Sequence, residues 1–192
     1  MSDSKAKSML GLLGVLAVVW WAGPAQAVKP TPSGKQAGKF VVLGTGEVLD
    51  TTTSLRWQQT PGAPADTVVS DCENGAGCTW FEAWDYCEAL GDGSRLAGVK
   101  ELQSLVDYSV PGPTLPEGHP FVDENGDSTV KPAIYWSAST LAVNAARAWG
   151  VRFDDGVVLD VNKGIGAFVF FHAWCVRGNQ AFAGQNIMPP AP

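Results

Sequence analysis

The chain has 192 residues, of which 45% are hydrophobic, with 8 Trp, 22 Gly, 13 Pro and 4 Cys and a net charge of −6. That apolar fraction suits a folded domain and excludes a disordered chain, and the length fits one domain of roughly 100–200 residues. The excess of acidic residues argues against generic nucleic-acid binding, which needs a basic surface.

The N-terminus is expected to be a signal peptide. Lys5 and Lys7 precede an apolar run from Met9 to Ala22, and Ala25-Gln26-Ala27 follows Gly23-Pro24. A basic start, a short apolar stretch and an A-x-A site are what signal peptidase reads. A membrane-spanning helix needs about 20 apolar residues, more than this run supplies. Cleavage after Ala27 removes Lys5, Lys7 and Asp3, which takes the net charge from −6 to −7, and it also removes Trp20 and Trp21. The mature chain then has no transmembrane segment. The expected localisation is exported, either periplasmic or extracellular at the cell surface.

Residues 28–39, rich in Pro, Gly, Lys and Ser, read as a flexible leader. Phe40–Leu43 and Glu47–Asp50 read as two strands around a Gly turn, and Leu55–Gln58 alternates as a half-buried strand does. Pro61–Gly77 reads as loop. Thr79 and Glu82 form a T-x-x-E box at the head of a helix. The apolar positions of that helix are Trp80, Ala83, Trp84, Cys87 and Leu90, and Gly91 and Gly93 end it. A second helix is predicted from Val99 to Asp107, with Leu102, Leu105 and Val106 inward. Val110–Lys131 is a long loop holding Pro111, Pro113, Pro116 and Pro120. Strands follow at Ile134–Ala138, Ala146–Phe153 and Val157–Val161, the last two turning at Asp154-Asp155-Gly156. A final strand is predicted over Phe168–Arg177, apolar on both faces, and a Pro-rich tail closes the chain at 181–192. Strands, two helices, a long loop and more strands make an α+β fold with mostly antiparallel sheets.

The four cysteines allow three pairings. Cys72 and Cys78 bracket a flexible loop, and packing of the first helix on the last strand would bring Cys87 to Cys175, so Cys72–Cys78 plus Cys87–Cys175 is favoured. The alternative is a metal or redox site, for which the spacing lacks a C-x-x-C.

Asp50-Thr-Thr-Thr-Ser-Leu-Arg-Trp57, Thr79-Trp-Phe-Glu-Ala-Trp-Asp-Tyr-Cys87, Lys100-Glu101-Leu102 through Asp107-Tyr108-Ser109, Tyr135-Trp-Ser-Ala-Ser139, Ala148-Trp149-Gly-Val-Arg-Phe153 and Cys175-Val-Arg-Gly178 occur in that order. The series resembles the Lcl C-terminal domain family, named for the globular end of a bacterial collagen-like adhesin. The resemblance runs from about Glu47 to Gly178. It implies similarity to C-type lectin-like domains: two antiparallel sheets, two helices, close termini and a long irregular loop, in a domain spanning 40–180. It also implies a helix-to-last-strand disulfide at Cys87 and Cys175, with Trp57, Trp136 and Trp149 in or near the core. Two departures stand out. Ser94-Arg95-Leu96-Ala97-Gly98 replaces the family's Trp-Arg-Leu-Pro-Thr, so the second helix lacks its Thr cap. The Glu-Pro-Asn and Trp-Asn-Asp motifs of calcium-dependent sugar binders are also absent. The adhesin's binding of sulfated polysaccharides suits a basic surface and is not carried over to this acidic chain.

Several residues are candidates for a site. Asp123, Asn125 and Asp127 place oxygens at alternate positions, as a calcium loop does; a solvated turn is the other reading, so the expectation is no cofactor unless calcium. His119 lies in the same loop and can join Asp123 on a metal. Trp80, at a helix start, is the tryptophan expected to be partly exposed and able to stack on a sugar. Asp154 and Asp155 read as turn chemistry before a catalytic pair, and His172 as a core residue before a base. Ser137 and Ser139 lack a G-x-S-x-G elbow. The expected function is a non-catalytic binding or adhesion module that contacts a glycan or protein through residues 111–131. The alternatives are a structural envelope or surface component and, behind it, an enzyme.

Overall fold

The computed structural model describes residues 38–62, 78–123, 126–128, 130–164 and 171–178. The predicted signal peptide, Cys72, Asn125 and the Pro-rich tail lie outside these residues. Among the described residues, nine strands and two helices form two sheets. The strands are β1 Phe40–Leu43, β2 Glu47–Asp50, β3 Arg56–Gln58, β4 Arg95–Leu96, β5 Ile134–Thr140, β6 Arg147–Arg152, β7 Val158–Asn162, β8 Phe171–His172 and β9 Cys175–Arg177. The helices are α1 Trp80–Ala89 and α2 Val99–Gln103. One sheet has the order β1-β2-β3-β9-β4 and the other β7-β6-β5-β8. Every pairing is antiparallel except β5 with β8. The α+β expectation is met.

Helix α1 begins as its sequence dictates. Glu82 N–H donates to Thr79 Oγ1 at 3.3 Å, and Thr79 N–H donates to Glu82 Oε2 at 2.6 Å. Gly91 and Gly93 take the positive φ values, +68° and +75°, that end it. Helix α2 is shorter than predicted. Ser104 Oγ donates to the Glu101 carbonyl at 2.6 Å, and Leu105 and Val106 then bond three residues back, to Leu102 and Gln103. A serine that engages the backbone in this way competes with the helical ladder.

The predicted strand Phe168–Arg177 is corrected to two short strands in different sheets, with residues 168–170 outside the described ones. β8 pairs with β5, and after Ala173-Trp174 the chain enters the other sheet, where β9 lies between β3 and β4. The crossing is pinned by Trp174: its carbonyl accepts from Ala97 N–H at 3.1 Å and its indole N–H donates to the Gln58 carbonyl at 3.0 Å. The apolar faces on both sides of the segment follow from this path. Cys175 belongs to a core cluster with α1, Trp136, Ala138 and Phe171, while Val176 belongs to a second cluster with Trp57, Tyr135 and Phe153. Period-two alternation along a strand makes adjacent residues serve opposite cores.

Cys87 and Cys175 form a disulfide with Cα atoms 5.3 Å apart, as the pairing predicts. Cys78 is also disulfide-bonded.

Candidate functional site

The long loop, whose described residues form no helix or strand, is tied to the second core cluster by its own side chains. Leu115, Phe121 and Val130 are all buried in that cluster. Phe121 meets Phe40 and Trp174 edge-on, with ring centroids 5.2 and 4.9 Å apart. Backbone bonds hold the same places. Thr114 is buried, and both its N–H (2.7 Å) and its Oγ1 (3.1 Å) donate to the Phe153 carbonyl at the end of the β6 segment. Asp107 N–H donates to the Thr114 carbonyl at 2.8 Å. Val122 N–H donates to the Gln59 carbonyl, while Gln59 Nε2 donates to the Pro120 carbonyl, each at 3.0 Å. Between these anchors the chain exposes Pro111-Gly112, Glu117-Gly118 and Gly126-Asp127-Ser128. Buried polar backbone in a loop must find partners, and here it does so at the points where apolar side chains enter the core.

His119 sits between two of these anchors, half-buried, with its ring 6.0 Å from Phe121. Burial lowers its pKa below the ordinary 6.5, opposed by a hydrogen bond with the Phe121 backbone. A base with a lowered folded pKa contributes stability above its unfolded pKa and loses it as pH falls through 6.5 toward the folded value. We expect NMR titration of this imidazole to give a midpoint below 6.5, and His119→Gln to remove part of the stability lost between pH 6.5 and pH 5. A midpoint at or above 6.5 contradicts the burial.

The acidic segment closes on itself. Asp127 N–H donates to Asp123 Oδ1 at 2.9 Å, Asp123 N–H to the Asp127 carbonyl at 2.8 Å, and Gly126 N–H to the Asp123 carbonyl at 3.1 Å. Asp123 thereby shapes a turn. Among the described residues no group of three or more His, Cys, Asp or Glu side chains could hold a metal ion; Asn125 lies outside them.

The expected exposure of Trp80 is corrected: it is fully buried. The first turn of α1 points inward because Trp80 N–H donates to the Lys163 carbonyl at 3.2 Å, and the indole N–H reaches the Ser137 carbonyl at 2.8 Å. Lys163 Nζ covers the indole at 3.8 Å and donates to Thr140 Oγ1 at 2.8 Å. Desolvation lowers the Lys163 pKa. No face of Trp80 is left for a ligand.

Asp155, Ser137 and His172, three of the remaining candidates, have structural partners. Asp155 pairs with Arg152 and accepts from Val157 N–H at 3.1 Å, so it shapes the β6–β7 turn. Ser137 Oγ donates to the Trp149 carbonyl at 2.6 Å. His172 is buried with its ring 5.4 Å from Tyr135.

The family model of the Lcl C-terminal domain matches residues 46–177. The chain belongs to the Lcl C-terminal domain family. No curated protein matches it. In this Lcl domain the fold reaches one strand beyond the match, because β1 pairs with β2 from Phe40↔Asp50 to Leu43↔Glu47. The missing Thr cap of α2 is replaced from elsewhere: Ser139 Oγ, on β5, accepts from Val99 N–H at 3.1 Å, and Glu101 Oε2 accepts from Gly98 N–H at 2.7 Å. Trp57 and Trp136 are fully buried and Trp149 half-buried.

Tyr108, not among the candidates named from the sequence, is 70% exposed. The sequence pattern puts it just past a second helix that is longer than the observed one. The signal available was Asp107-Tyr108-Ser109 itself: Asp107 Oδ1 accepts from Ser109 N–H at 2.9 Å, an Asp-initiated turn.

Proposed function

We infer that this Lcl domain is an exported, non-catalytic binding module whose contact surface is formed by residues 111–131. The observation that carries the reading is the anchoring of that loop. Thr114-Leu115, Pro120–Val122 and Val130 tie it to the core, and between them Glu117, Gly118 and Gly126–Ser128 are exposed. A loop ordered before contact loses less entropy on binding, which is what a recognition surface requires. Two sheets, two helices and one long irregular loop also support similarity to C-type lectin-like domains. The disulfides support an oxidising compartment, hence a periplasmic or cell-surface location. Ser137 and Asp155 are engaged in sheet and turn hydrogen bonds, which favours binding over chemistry.

The ligand class is a glycan or an envelope protein. The exported protein is to be screened on a glycan array with and without calcium, in parallel with recovery of cross-linked envelope proteins. The expected result is one specific ligand, weakened about tenfold by a Glu117→Ala, His119→Ala double variant, as loss of a contact worth about 1.4 kcal/mol gives. Calcium dependence would assign the Asp123–Asp127 turn a metal. Specific recovery of an envelope protein that the double variant leaves unchanged would favour the structural-component reading. Absence of any ligand contradicts both.

A further inference from the structure

Tyr108 lies at the start of the long loop, where the loop meets the β6–β7 turn. Its hydroxyl donates to the Gly156 carbonyl at 3.3 Å. Gly156 has a φ of +77°, and a methyl group there would sit 2.6 Å from Tyr108 Cε1 and 2.7 Å from Val106 Cγ1. The absence of a side chain at Gly156 therefore lets the ring settle onto the turn. The ring meets the turn along its Cδ1–Cε1 side and is 70% exposed, so most of its surface is open to solvent.

The surroundings are equally fixed. Gly112 packs on Asp154 so closely that a methyl group would lie 2.7 Å from the Asp154 carbonyl oxygen and 3.0 Å from Oδ1. Val157, 44% exposed, follows Gly156 directly. Arg152 is held by Asp155, Nε to Oδ1 at 2.8 Å. The Asp154 carboxylate accepts no hydrogen bond among the described residues and is exposed. The turn thus brings to one side of the loop an exposed aromatic ring, the exposed Val157, an exposed carboxylate, and an arginine already paired.

We propose that Tyr108 is the stacking platform of a saccharide site, with Asp154 accepting hydrogen bonds from sugar hydroxyls. An aromatic ring offers a flat apolar face with a negative quadrupole, suited to the C–H face of a pyranose. Arg152 is paired with Asp155 and also attracted by Asp154, so two carboxylates outweigh one cation at this turn, which disfavours a sulfate or carboxylate. The charge pattern selects a neutral sugar. The site deepens the binding-module reading and rests on it, while placing the contact at the β6–β7 side of the loop.

The test is calorimetric titration of the exported protein with cellohexaose, chitohexaose and a heparin hexasaccharide. The expected result is binding of at least one neutral hexasaccharide, unchanged by 0.5 M salt and weakened about tenfold by Tyr108→Ala, as truncation of a central aromatic contact does. Tyr108→Phe keeps the ring and stays within about threefold of the parent protein. Asp154→Asn, which breaks no hydrogen bond among the described residues, weakens binding severalfold and serves if Tyr108→Ala fails to fold. Binding of heparin alone, binding of none of the three, or neutral-sugar binding indifferent to both Tyr108→Ala and Asp154→Asn overturns the site. A ligand lost on Glu117→Ala, His119→Ala but indifferent to Tyr108→Ala overturns the site and leaves the loop reading standing.

Discussion

Replacing Cys87 and Cys175 together by alanine is expected to destabilise the domain by about 4–5 kcal/mol, the loop-entropy value for a crosslink between residues 88 apart. The bridge joins α1 to β9, the strand at which both core clusters meet. Both sulfur positions are buried, so the double variant also leaves a small void. At about 2–4 °C per kcal/mol for a domain of this size, the melting temperature should fall by roughly 10–15 °C. Urea unfolding of the variant against the oxidised parent measures this. A loss below about 1 kcal/mol would mean that the unfolded chain already keeps the helix and strand together.

Glu101→Gln is the second substitution with a large expected effect. Glu101 is fully buried on α2, and its carboxylate takes both ends of the Arg95 guanidinium, at 2.7 and 2.8 Å, together with the Gly98 N–H. Arg95 lies on β4, with its side chain 20% exposed. Removing one charge of a buried pair typically costs about 3–5 kcal/mol, because the partner is left uncompensated. Much of that loss should return in an Arg95→Met, Glu101→Met double variant, which removes both charges and leaves the Gly98 N–H without its acceptor and the Leu96 and Gly178 carbonyls without the Arg95 donor. Chemical denaturation of the two variants decides the matter. Equal stability of Glu101→Gln and the parent would show the pair to be solvated.

The local signals in the sequence were those governed by neighbouring residues. The T-x-x-E box, the glycines after Leu90 and the Asp-Asp-Gly hairpin each act within a few positions, and each appears as read. The errors arose where a distant residue decides. Helix α2 ends early because Ser104 turns back on Glu101, yet it starts without its own cap because Ser139 arrives from β5. Apolar periodicity could not reveal that Phe171 and Cys175 serve different sheets, since a strand that crosses between sheets and a strand buried on both faces look alike in composition. Trp80 was misjudged for a related reason. Its position at a helix start suggested exposure, but Lys163, 83 positions later, covers the ring. At the candidate site, the Asp123–Asp127 turn was legible as a turn. The support of Tyr108 on Gly156 depends on a contact across 48 positions and left no local trace.

A binding role through residues 111–131 requires that the described part of this loop be a preformed surface rather than a solvated linker. Native-state hydrogen exchange of the free protein tests it most directly, through the amides of Thr114 and Val122, which bond to the Phe153 and Gln59 carbonyls. Both are expected to be protected to the same degree as β6 amides such as Val151, so that they open only with the core. Exchange of Thr114 and Val122 at the rate of an open chain, with β6 still protected, would contradict it.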